Sequence, residues 1–247
     1  MTVRTDTELE ALREVGRIAA EALAAMREAV RVGVSTAELD RVGRTAMERR
    51  GARSAPELVY DFPGATCISV NDEVVHGVPG PRVLAPGDVV KLDVTVEKGG
   101  FMADTACTVV VEPRSPEARR LAGCAKKAFE EALSVARAGE KVSRVGRIVQ
   151  SIVAAQGFSV IPQLAGHGIG RTIHEGPEVP NAYDPWLMDR FHEGMIVTIE
   201  PIITSGKGKI VTESDGWTVR TQDRSLAAHY EHTMMITRGR PILLTAP

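Results

Sequence analysis

Lys91-Leu-Asp-Val-Thr-Val-Glu-Lys-Gly-Gly-Phe-Met-Ala-Asp104 is the stretch that decides the fold of this chain. Residues 89–96 are rich in β-branched side chains and predict a buried strand, a Gly-Gly turn follows, and residues 101–111 predict the returning strand. Asp93 and Asp104 therefore fall on paired strands, each within an apolar run. Burying a lone carboxylate costs several kcal/mol, so two facing carboxylates require a cation or a shared proton, unless one of them faces solvent.

Helices and shorter strands flank this hairpin on both sides. Apolar periodicity and glycine stops predict helices over residues 7–32, 36–50, 116–139 and 142–155. Short apolar runs predict strands over residues 66–70, 160–164, 194–201, 210–213, 217–221 and 228–236. The segment that follows His174 is polar and contains proline, which predicts a loop.

The two halves of the chain repeat one pattern. Four helix-ending glycines form two pairs 106 residues apart, Gly33 with Gly139 and Gly51 with Gly157. The residues that lead to Asp93 align with those that lead to Glu200 at an offset of 107, and Glu231 is the counterpart of Asp104. We therefore predict one α+β domain over residues 1–247, in which two α-β halves, about 7–111 and 116–240, share one core about a pseudo-two-fold axis.

This axis would bring four carboxylates together: Asp93, Asp104, Glu200 and Glu231. Four carboxylates in one apolar cavity cannot all stay ionised without cations. With an imidazole added, the donor set is mostly oxygen and suits divalent Mn, Fe(II), Co or Zn. Several acids around one cavity predict two bridged metals, between which water becomes a nucleophile near neutral pH. The alternative is that one or two of these acids lie at the surface.

Six histidines could supply the imidazole. His167 lies between glycines that permit a close backbone approach, and His76 and His174 lie in loops near strand ends. Of the others, two stand in polar surroundings typical of the surface, and the third directly follows Glu231 and would point to the opposite face of a strand. These three, which we expect not to be ligands, are His192, His229 and His232.

Other chemistries have weaker support. The glycine run around His167 lacks the lysine and the strand–loop–helix context of a phosphate-binding loop, and no GxSxG nucleophile elbow occurs. Cys107 and Cys124 sit in apolar patterns rather than reactive surroundings.

Composition limits the partners and the compartment. A net charge of −2 with no basic stretch argues against nucleic-acid binding, and no apolar run approaches the roughly 20 residues of a membrane span. Three cysteines without a CxxC motif favour a reducing compartment, so we expect a cytoplasmic protein. The absence of a coiled-coil pattern favours a monomer.

Six motifs resemble those of type I methionine aminopeptidases, and the resemblance runs in order over nearly the whole chain. They are Asn71-Asp-Glu-Val-Val-His76-Gly-Val-Pro, Lys91-Leu-Asp93-Val with Asp104-Thr, Gly166-His167-Gly-Ile-Gly-Arg-Thr-Ile-His174-Glu, Thr198-Ile-Glu200-Pro, Asp215-Gly-Trp217-Thr-Val and Tyr230-Glu231-His-Thr. The resemblance implies the pita-bread fold, a curved, mainly antiparallel sheet covered by helices, whose internal pseudo-symmetry agrees with the duplication.

The resemblance also implies a reaction, namely removal of the initiator methionine from nascent polypeptide N-termini near the ribosome when the second residue is small. It implies that two divalent metals are held by Asp93, Asp104, His167, Glu200 and Glu231, with Asp104 and Glu231 bridging both. A bridging hydroxide would attack the carbonyl while Glu200 acts as general base. His76 and His174 would contact the substrate, with His174 stabilising the oxyanion.

The methionine pocket departs from the family pattern. Phe62 keeps an aromatic wall, and Cys67 and Trp217 fall at pocket positions. Val59 stands in place of an aromatic residue, Asp61 in place of glycine, and Ile173 where an aromatic residue often precedes the second histidine. These changes put the side-chain preference in question more than the hydrolysis.

Two other interpretations remain. An Xaa-Pro aminopeptidase or prolidase relative would keep the fold and change the substrate, although such enzymes usually carry a large extra N-terminal domain. A binding protein of the same fold would be expected to have lost metal ligands, and none is missing here.

Overall fold

The computed structural model describes residues 1–246, so Pro247, the last residue of the predicted domain, lies outside it. The helices are α1 (Asp6–Ala29), α2 (Thr36–Arg49), α3 (Ala55–Tyr60), α4 (Pro116–Ala132) and α5 (Ser143–Ala155). The strands of the first half are β1 (Arg53–Ser54), β2 (Cys67–Val70), β3 (Glu73–Val75), β4 (Val89–Lys98) and β5 (Phe101–Val110). Those of the second half are β6 (Ser159–Val160), β7 (Ala165–Gly168), β8 (Glu175–Pro180), β9 (Ile196–Ile199), β10 (Ile202–Thr204), β11 (Ile210–Thr212), β12 (Val219–Thr221), β13 (Ala227–His229), β14 (Glu231–Met235) and β15 (Ile242–Leu243).

The central hairpin forms as predicted. Strands β4 and β5 pair antiparallel, with Asp93 opposite Ala106 and Thr95 opposite Asp104. The two-residue turn between them has positive φ at both of its glycines, +59° and +80°. Such a turn matches the right-handed twist of the paired strands, and glycine adopts it without steric cost.

The largest sheet joins the two halves of the chain. Its order is β1-β4-β5-β14-β9-β7-β8, with β2 also paired to β4 and β15 to β14, and its strand pairs are antiparallel. Strand β5 of the first half therefore lies beside β14 of the second half. Two three-stranded sheets, β13-β10-β6 and β11-β12-β3, adjoin it. This mixture of helices and antiparallel sheets confirms the predicted α+β class.

Helices cover the large sheet and bury its apolar side chains. In the first half, Ile18 and Met26 of α1 and Leu39 of α2 pack in one cluster with Leu92 of β4. In the second half, α4 and α5 pack in a separate cluster with β9 and β14. Serine caps start α2 and α4, and Ser35 forms a full capping box with Glu38. None of the helices within residues 1–246 combines the length and apolarity of a membrane span.

Four predicted elements differ from the structure. The single strand predicted over residues 228–236 is two strands, β13 and β14, which belong to different sheets. The third predicted helix, α4, ends at Ala132 rather than near Gly139. Just beyond Ala132, the Ser134 hydroxyl donates to the Glu131 carbonyl and competes with the helical hydrogen bonds. The strand predicted over residues 160–164 stops at Val160, since Pro162 has no N–H for a ladder. The predicted loop after His174 contains β8, whose prolines hid its strand character.

The glycines that suggested the duplication have matching backbone conformations. Gly33 and Gly139 have φ of +88° and +91°, and Gly51 and Gly157 have φ of +65° and +77°. Gly51 and Gly157 directly follow the ends of α2 and α5, whereas Gly33 and Gly139 lie in turns several residues beyond the ends of α1 and α4. All four adopt the left-handed region that favours glycine. The pseudo-two-fold duplication stays a prediction, which these matched turns support.

Candidate metal centre and active site

Strands from both halves of the chain point side chains into one cavity of about 490 Å³. The cavity contains all five predicted metal ligands and both predicted substrate histidines: His76, Asp93, Asp104, His167, His174, Glu200 and Glu231. Asp93 and Asp104 come from the central hairpin, His167 from β7, Glu231 from β14, and Glu200 directly follows β9. The alternative that some of the four acids lie at the surface is wrong, because all four line this cavity.

Thr198 of β9 fixes His167 and Glu200 relative to each other. Its hydroxyl accepts from the His167 backbone N–H at 3.1 Å and donates to Glu200 Oε1 at 3.2 Å. His167 Nδ1 lies 2.9 Å from the Gly168 carbonyl oxygen, so Nδ1–H donates and Nε2 keeps its free lone pair. That Nε2 is 3.5 Å from Glu200 Oε1. The tautomer needed for metal binding is thus set by the backbone.

Threonines of neighbouring strands hold Asp104 and Glu231. The Asp104 backbone N–H donates to the Thr233 hydroxyl, which donates back to the Asp104 carbonyl, and the Thr105 hydroxyl donates to the Glu231 carbonyl. The carboxylates themselves are buried, with 6% and 1% of each residue exposed. Asp104 Oδ1 and Glu231 Oε1 make no hydrogen bond to any described residue.

The electrostatics of this cluster are those of acids crowded away from water. Burial, then the charges of Asp104 and Glu200, raise the pKa of Asp93 well above its usual range. Burial and the same two charges raise the pKa of Glu231, and burial raises the pKa of Glu200 to about 8. A divalent cation would bind the unpaired oxygens and stabilise the ionised carboxylates. A donor set of mostly oxygen atoms with one imidazole suits such a cation. The residues present therefore fit a divalent metal centre.

A pH dependence of stability follows for the metal-free protein. A carboxyl with a raised pKa is protonated in the folded protein at a pH at which it is already ionised in the unfolded chain. The free energy of unfolding therefore decreases as the pH rises toward the pKa of the folded state. We expect the free energy of unfolding of the metal-free protein, and with it the melting temperature, to fall between pH 6.5 and about 8, the value to which burial raises the pKa of Glu200. Saturating Mn(II) or Co(II) should raise the melting temperature and remove this slope.

Opposing groups define that window. Burial lowers the pKa of three histidines to about 4: His174, His229 and His232. Below pH 6.5 these groups make the free energy of unfolding rise with pH, opposite to the effect of the carboxyls. Above pH 7 the buried Lys91, whose pKa burial lowers to about 7, also opposes, but it is one group against three carboxyls. Calorimetry across the window measures the balance, and a flat metal-free profile would contradict the assigned cluster.

His174 and His76 lie at the edge of the cluster. The His174 ring centroid is 4.3 Å from that of His167, and its Nδ1 lies 2.6 Å from the Tyr60 hydroxyl oxygen. Burial raises the pKa of Tyr60, so its O–H stays protonated and donates to Nδ1. Partial burial, then the His167 and His76 charges, lower the pKa of His174 to about 4. His174 is therefore a neutral imidazole with its proton on Nε2.

A second cavity of about 270 Å³ adjoins the first and shares His76, Asp93, Asp104 and His174 with it. It is lined by the three predicted pocket residues, Phe62, Cys67 and Trp217, together with Tyr60 and Ile173. The rings of Phe62 and Trp217 meet edge to face, with centroids 5.2 Å apart. All ten predicted site residues thus line these two joined cavities.

The departures in the pocket loop differ in their effects. Ile173 lines the second cavity, whereas Val59 does not line it and packs against the apolar cluster that contains Ile173 and Met102. Asp61 is exposed and caps α3 in the left-handed conformation with φ of +55°, a position that favours glycine. Neither Val59 nor Asp61 lines the pocket.

The prediction that His229 lies at the surface was wrong. Only 2% of His229 is exposed, and its Nε2 lies 3.4 Å from Glu200 Oε2 and 3.5 Å from Glu231 Oε2. The strand pairing of β13 with β10 buries it, and that pairing is nonlocal. The strand predicted over residues 228–236 contained a signal, because His229 and Glu231, two residues apart, would share one face of it. The structure places them on β13 and β14, yet both side chains reach the cavity. His192 is exposed, and His232 bonds Thr245 and Tyr230 away from the site.

Two further residues of the site were not predicted. Tyr60 contacts His174, and the Asn181 side-chain amide donates to the Glu200 carbonyl at 2.9 Å. Tyr60 lies in the pocket loop between Val59 and Asp61, but its contact with His174 was not predicted. Asn181 lies in no recognised motif, and only the fold places it there.

Comparison with known proteins identifies the family. The model of metallopeptidase family M24 matches residues 10–238. Methionine aminopeptidase 2 of Bacillus subtilis (strain 168) is 44% identical over 247 residues, covering 99% of each chain, and a methionine aminopeptidase of Staphylococcus epidermidis is 40% identical over 247 residues, covering 99% of this chain and 98% of its own.

Solved structures agree. Methionine aminopeptidase from Thermotoga maritima superposes with a TM-score of 0.96 at 32% identity, covering 100% of both chains. Prolidase from Pyrococcus furiosus gives a TM-score of 0.81 at 22% identity, covering 100% of this chain and 66% of its own, and shows the shared fold alone. These likenesses confirm the predicted pita-bread fold and the hydrolase class. The chain belongs to metallopeptidase family M24.

Proposed function

We propose that this protein is a methionine aminopeptidase that removes the initiator methionine from nascent polypeptides when the second residue is small. The observation that carries the proposal is the buried cluster of four carboxylates and His167, which opens directly into an aromatic-lined pocket. Relatives named methionine aminopeptidase along the whole chain support the substrate assignment.

Five residues would hold two divalent ions of Mn, Fe(II), Co or Zn: Asp93, Asp104, His167, Glu200 and Glu231. Asp104, His167 and Glu231 each offer a donor atom within 4.8 Å of the other two, which supports one shared position. When bound, such ions would polarise the scissile carbonyl and lower the pKa of a water molecule, which makes hydroxide attack possible near neutral pH.

Glu200 is the proposed general base. Its carboxylate lines the cavity and lies 3.5 and 3.4 Å from Nε2 of His167 and of His229, where it could exchange a proton with an attacking water molecule. The Thr198 hydroxyl and the Asn181 amide hold its side chain and backbone in place. Glu200 would accept a proton from the attacking water and pass it to the departing amine.

His174 is the proposed donor to the oxyanion. The Tyr60 hydroxyl occupies its Nδ1, which leaves Nε2–H for the negative charge that develops on the carbonyl oxygen. A neutral imidazole donates without losing its proton. His76, with its left-handed backbone (φ +56°) and its side chain on both cavities, would position the scissile amide.

The second cavity would take the methionine side chain. Its volume of about 270 Å³ and its lining by Phe62, Trp217 and Cys67 suit an unbranched apolar side chain. Thioether sulfur packs well on aromatic rings, by about 0.3–1.5 kcal/mol per contact.

The protein would act as a monomer in the cytoplasm, on nascent N-termini near the ribosome, as one catalytic domain formed from two pseudo-repeats. Its net charge of −2 supports a protein substrate over nucleic acid.

Release of free methionine from Met-Ala-Ser and Met-Lys-Ser peptides tests the function. We expect metal-stripped protein to be inactive, and Co(II), Mn(II) or Fe(II) to restore cleavage of Met-Ala-Ser alone. Met-Lys-Ser should not be cleaved, because the long lysine side chain at the second position would have to fit beside His76 and His174. Cleavage of both peptides would contradict the size rule.

The same assay separates the other interpretations. Cleavage of Xaa-Pro peptides instead would favour a prolidase-like activity. Absence of both cleavage and metal binding would favour a binding protein.

A further inference from the structure

We propose that His229 Nε2 is a sixth protein ligand of the divalent metal centre, bound on the side of Glu200 and Glu231. The inference rests on the proposed metal site and adds a second imidazole to it. The six motifs that carried the family resemblance did not include this residue.

The position of His229 is fixed by its backbone. It ends β13 opposite Ile202 of β10, and its backbone N–H and carbonyl both bond the Thr108 hydroxyl, at 2.9 and 2.8 Å. Because the backbone is held on two sides and only 2% of the residue is exposed, the ring has little freedom. A ligand must be held in this way before the ion arrives.

The ring of His229 is buried without a hydrogen-bond partner. Neither Nδ1 nor Nε2 makes a hydrogen bond to a described residue, although Nε2 faces two carboxylates. Leaving a buried polar atom unpaired costs about 1–3 kcal/mol. The same cavity contains unpaired oxygens of Asp104 and Glu231. Nitrogen and oxygen donor atoms that converge on one point without other partners are complementary to a cation.

The distances fit a shared ion. Donor atoms of Glu200, His229 and Glu231 lie within 4.8 Å of one another, and the closest oxygens lie 3.4 and 3.5 Å from Nε2. Ligands bound at about 2.0–2.2 Å to one tetrahedral ion are separated by roughly 3.3–3.6 Å.

Glu231 belongs to two ligand groups. One contains Asp104 and His167, and the other contains Glu200 and His229. Glu200 links the two groups, because its Oε1 lies 3.5 Å from His167 Nε2 and its Oε2 lies 3.4 Å from His229 Nε2. Two ions held by these carboxylates would therefore have two imidazoles between them, His167 and His229. This arrangement makes the centre richer in nitrogen than five ligands alone would, and so favours ions such as Zn, Co or Fe(II) over Mg or Ca.

Metal binding to three proteins tests the proposal: wild type, His229→Gln and His229→Phe, with His232→Gln as the matched control. His232 lies on the same segment, but its ring bonds Thr245 and Tyr230 outside the site. In the Gln variant the amide oxygen could still bind the metal in place of the imidazole. The Phe variant keeps an aromatic side chain but has no atom that can bind a metal. Calorimetric titration of metal-stripped protein with Co(II) gives the affinities, and X-ray absorption gives the number of imidazoles per cobalt.

We expect an average of one imidazole per cobalt in wild type and half of that in both His229 variants. One of the two binding events should weaken at least about tenfold, the lower end of what losing even an indirect metal contact costs. His232→Gln should match wild type. An unchanged imidazole number and affinity in both variants would overturn the ligand assignment, even if turnover changed. If wild type bound no divalent ion, the proposed function itself would fail.

Discussion

Asp93→Asn is expected to lower the turnover of Met-Ala-Ser by about a hundredfold to a thousandfold while the protein stays folded. Asparagine has the shape of aspartate but no charge, so the change removes one anionic ligand from a cluster that needs a cation. The expected loss is on the scale of removing one strong electrostatic contact with a transition state.

The stability of this variant distinguishes a metal site from a structural role. In metal-free protein, Asp93 is destabilising when ionised, because burial and the charges of Asp104 and Glu200 oppose its ionisation. Metal-free Asp93→Asn should therefore melt no lower than metal-free wild type, and metal addition should stabilise it much less. Thermal melts with and without Co(II) measure both quantities.

Asp61→Asn is the matched control. Asp61 is exposed near the pocket, and asparagine tolerates its left-handed backbone. This variant should keep its turnover and its metal-induced stabilisation. Retained activity in Asp93→Asn, or an equal loss in Asp61→Asn, would refute the proposed role of Asp93.

Gly168→Ala is expected to destabilise the protein by about 3 kcal/mol and to weaken metal binding. A Cβ at Gly168 would lie 2.2 Å from the Gly176 carbonyl oxygen, so β7 and β8 would have to separate. His167 would move with β7, because its Nδ1 bonds the Gly168 carbonyl. The loss should appear as a melting temperature lower by roughly 6–12 °C.

Gly176→Ala provides the comparison on the facing strand. A Cβ there meets open space, and its backbone is not in the left-handed region. The two substitutions add the same methyl group to neighbouring strands, so only the space differs. Similar melting temperatures for both variants would show that β7 and β8 can adjust, contrary to the close approach described here.

The sequence was sufficient to predict the hairpin and its acids, because both depend on local pattern. Alternation of β-branched residues and a Gly-Gly turn determine β4 and β5, and a carboxylate in such a run is costly unless it has a function. The counterparts Glu200 and Glu231 followed from the repeat. The individual roles of the ligands came from the family resemblance.

What could not be predicted depends on nonlocal pairing. The prediction that His229 lies at the surface rested on polar surroundings, although Ala227 and Ala228 precede it, and the pairing of β13 with β10 buries it. Tyr60 reaches His174 across 114 positions of sequence, which no local pattern encodes. Strand β8 was hidden by prolines that an edge strand accommodates.

The junction between β5 and β14 also sets the order in which the protein can mature. The Thr105 hydroxyl and the Glu231 carbonyl meet across 126 positions, whereas the β4–β5 hairpin closes within its own length. Contacts between distant segments form late and slowly during folding. A chain still emerging from synthesis can therefore present Asp93 and Asp104 without the partners that complete their coordination. We therefore expect the complete proposed metal site to form late in folding, after β5 and β14 have paired.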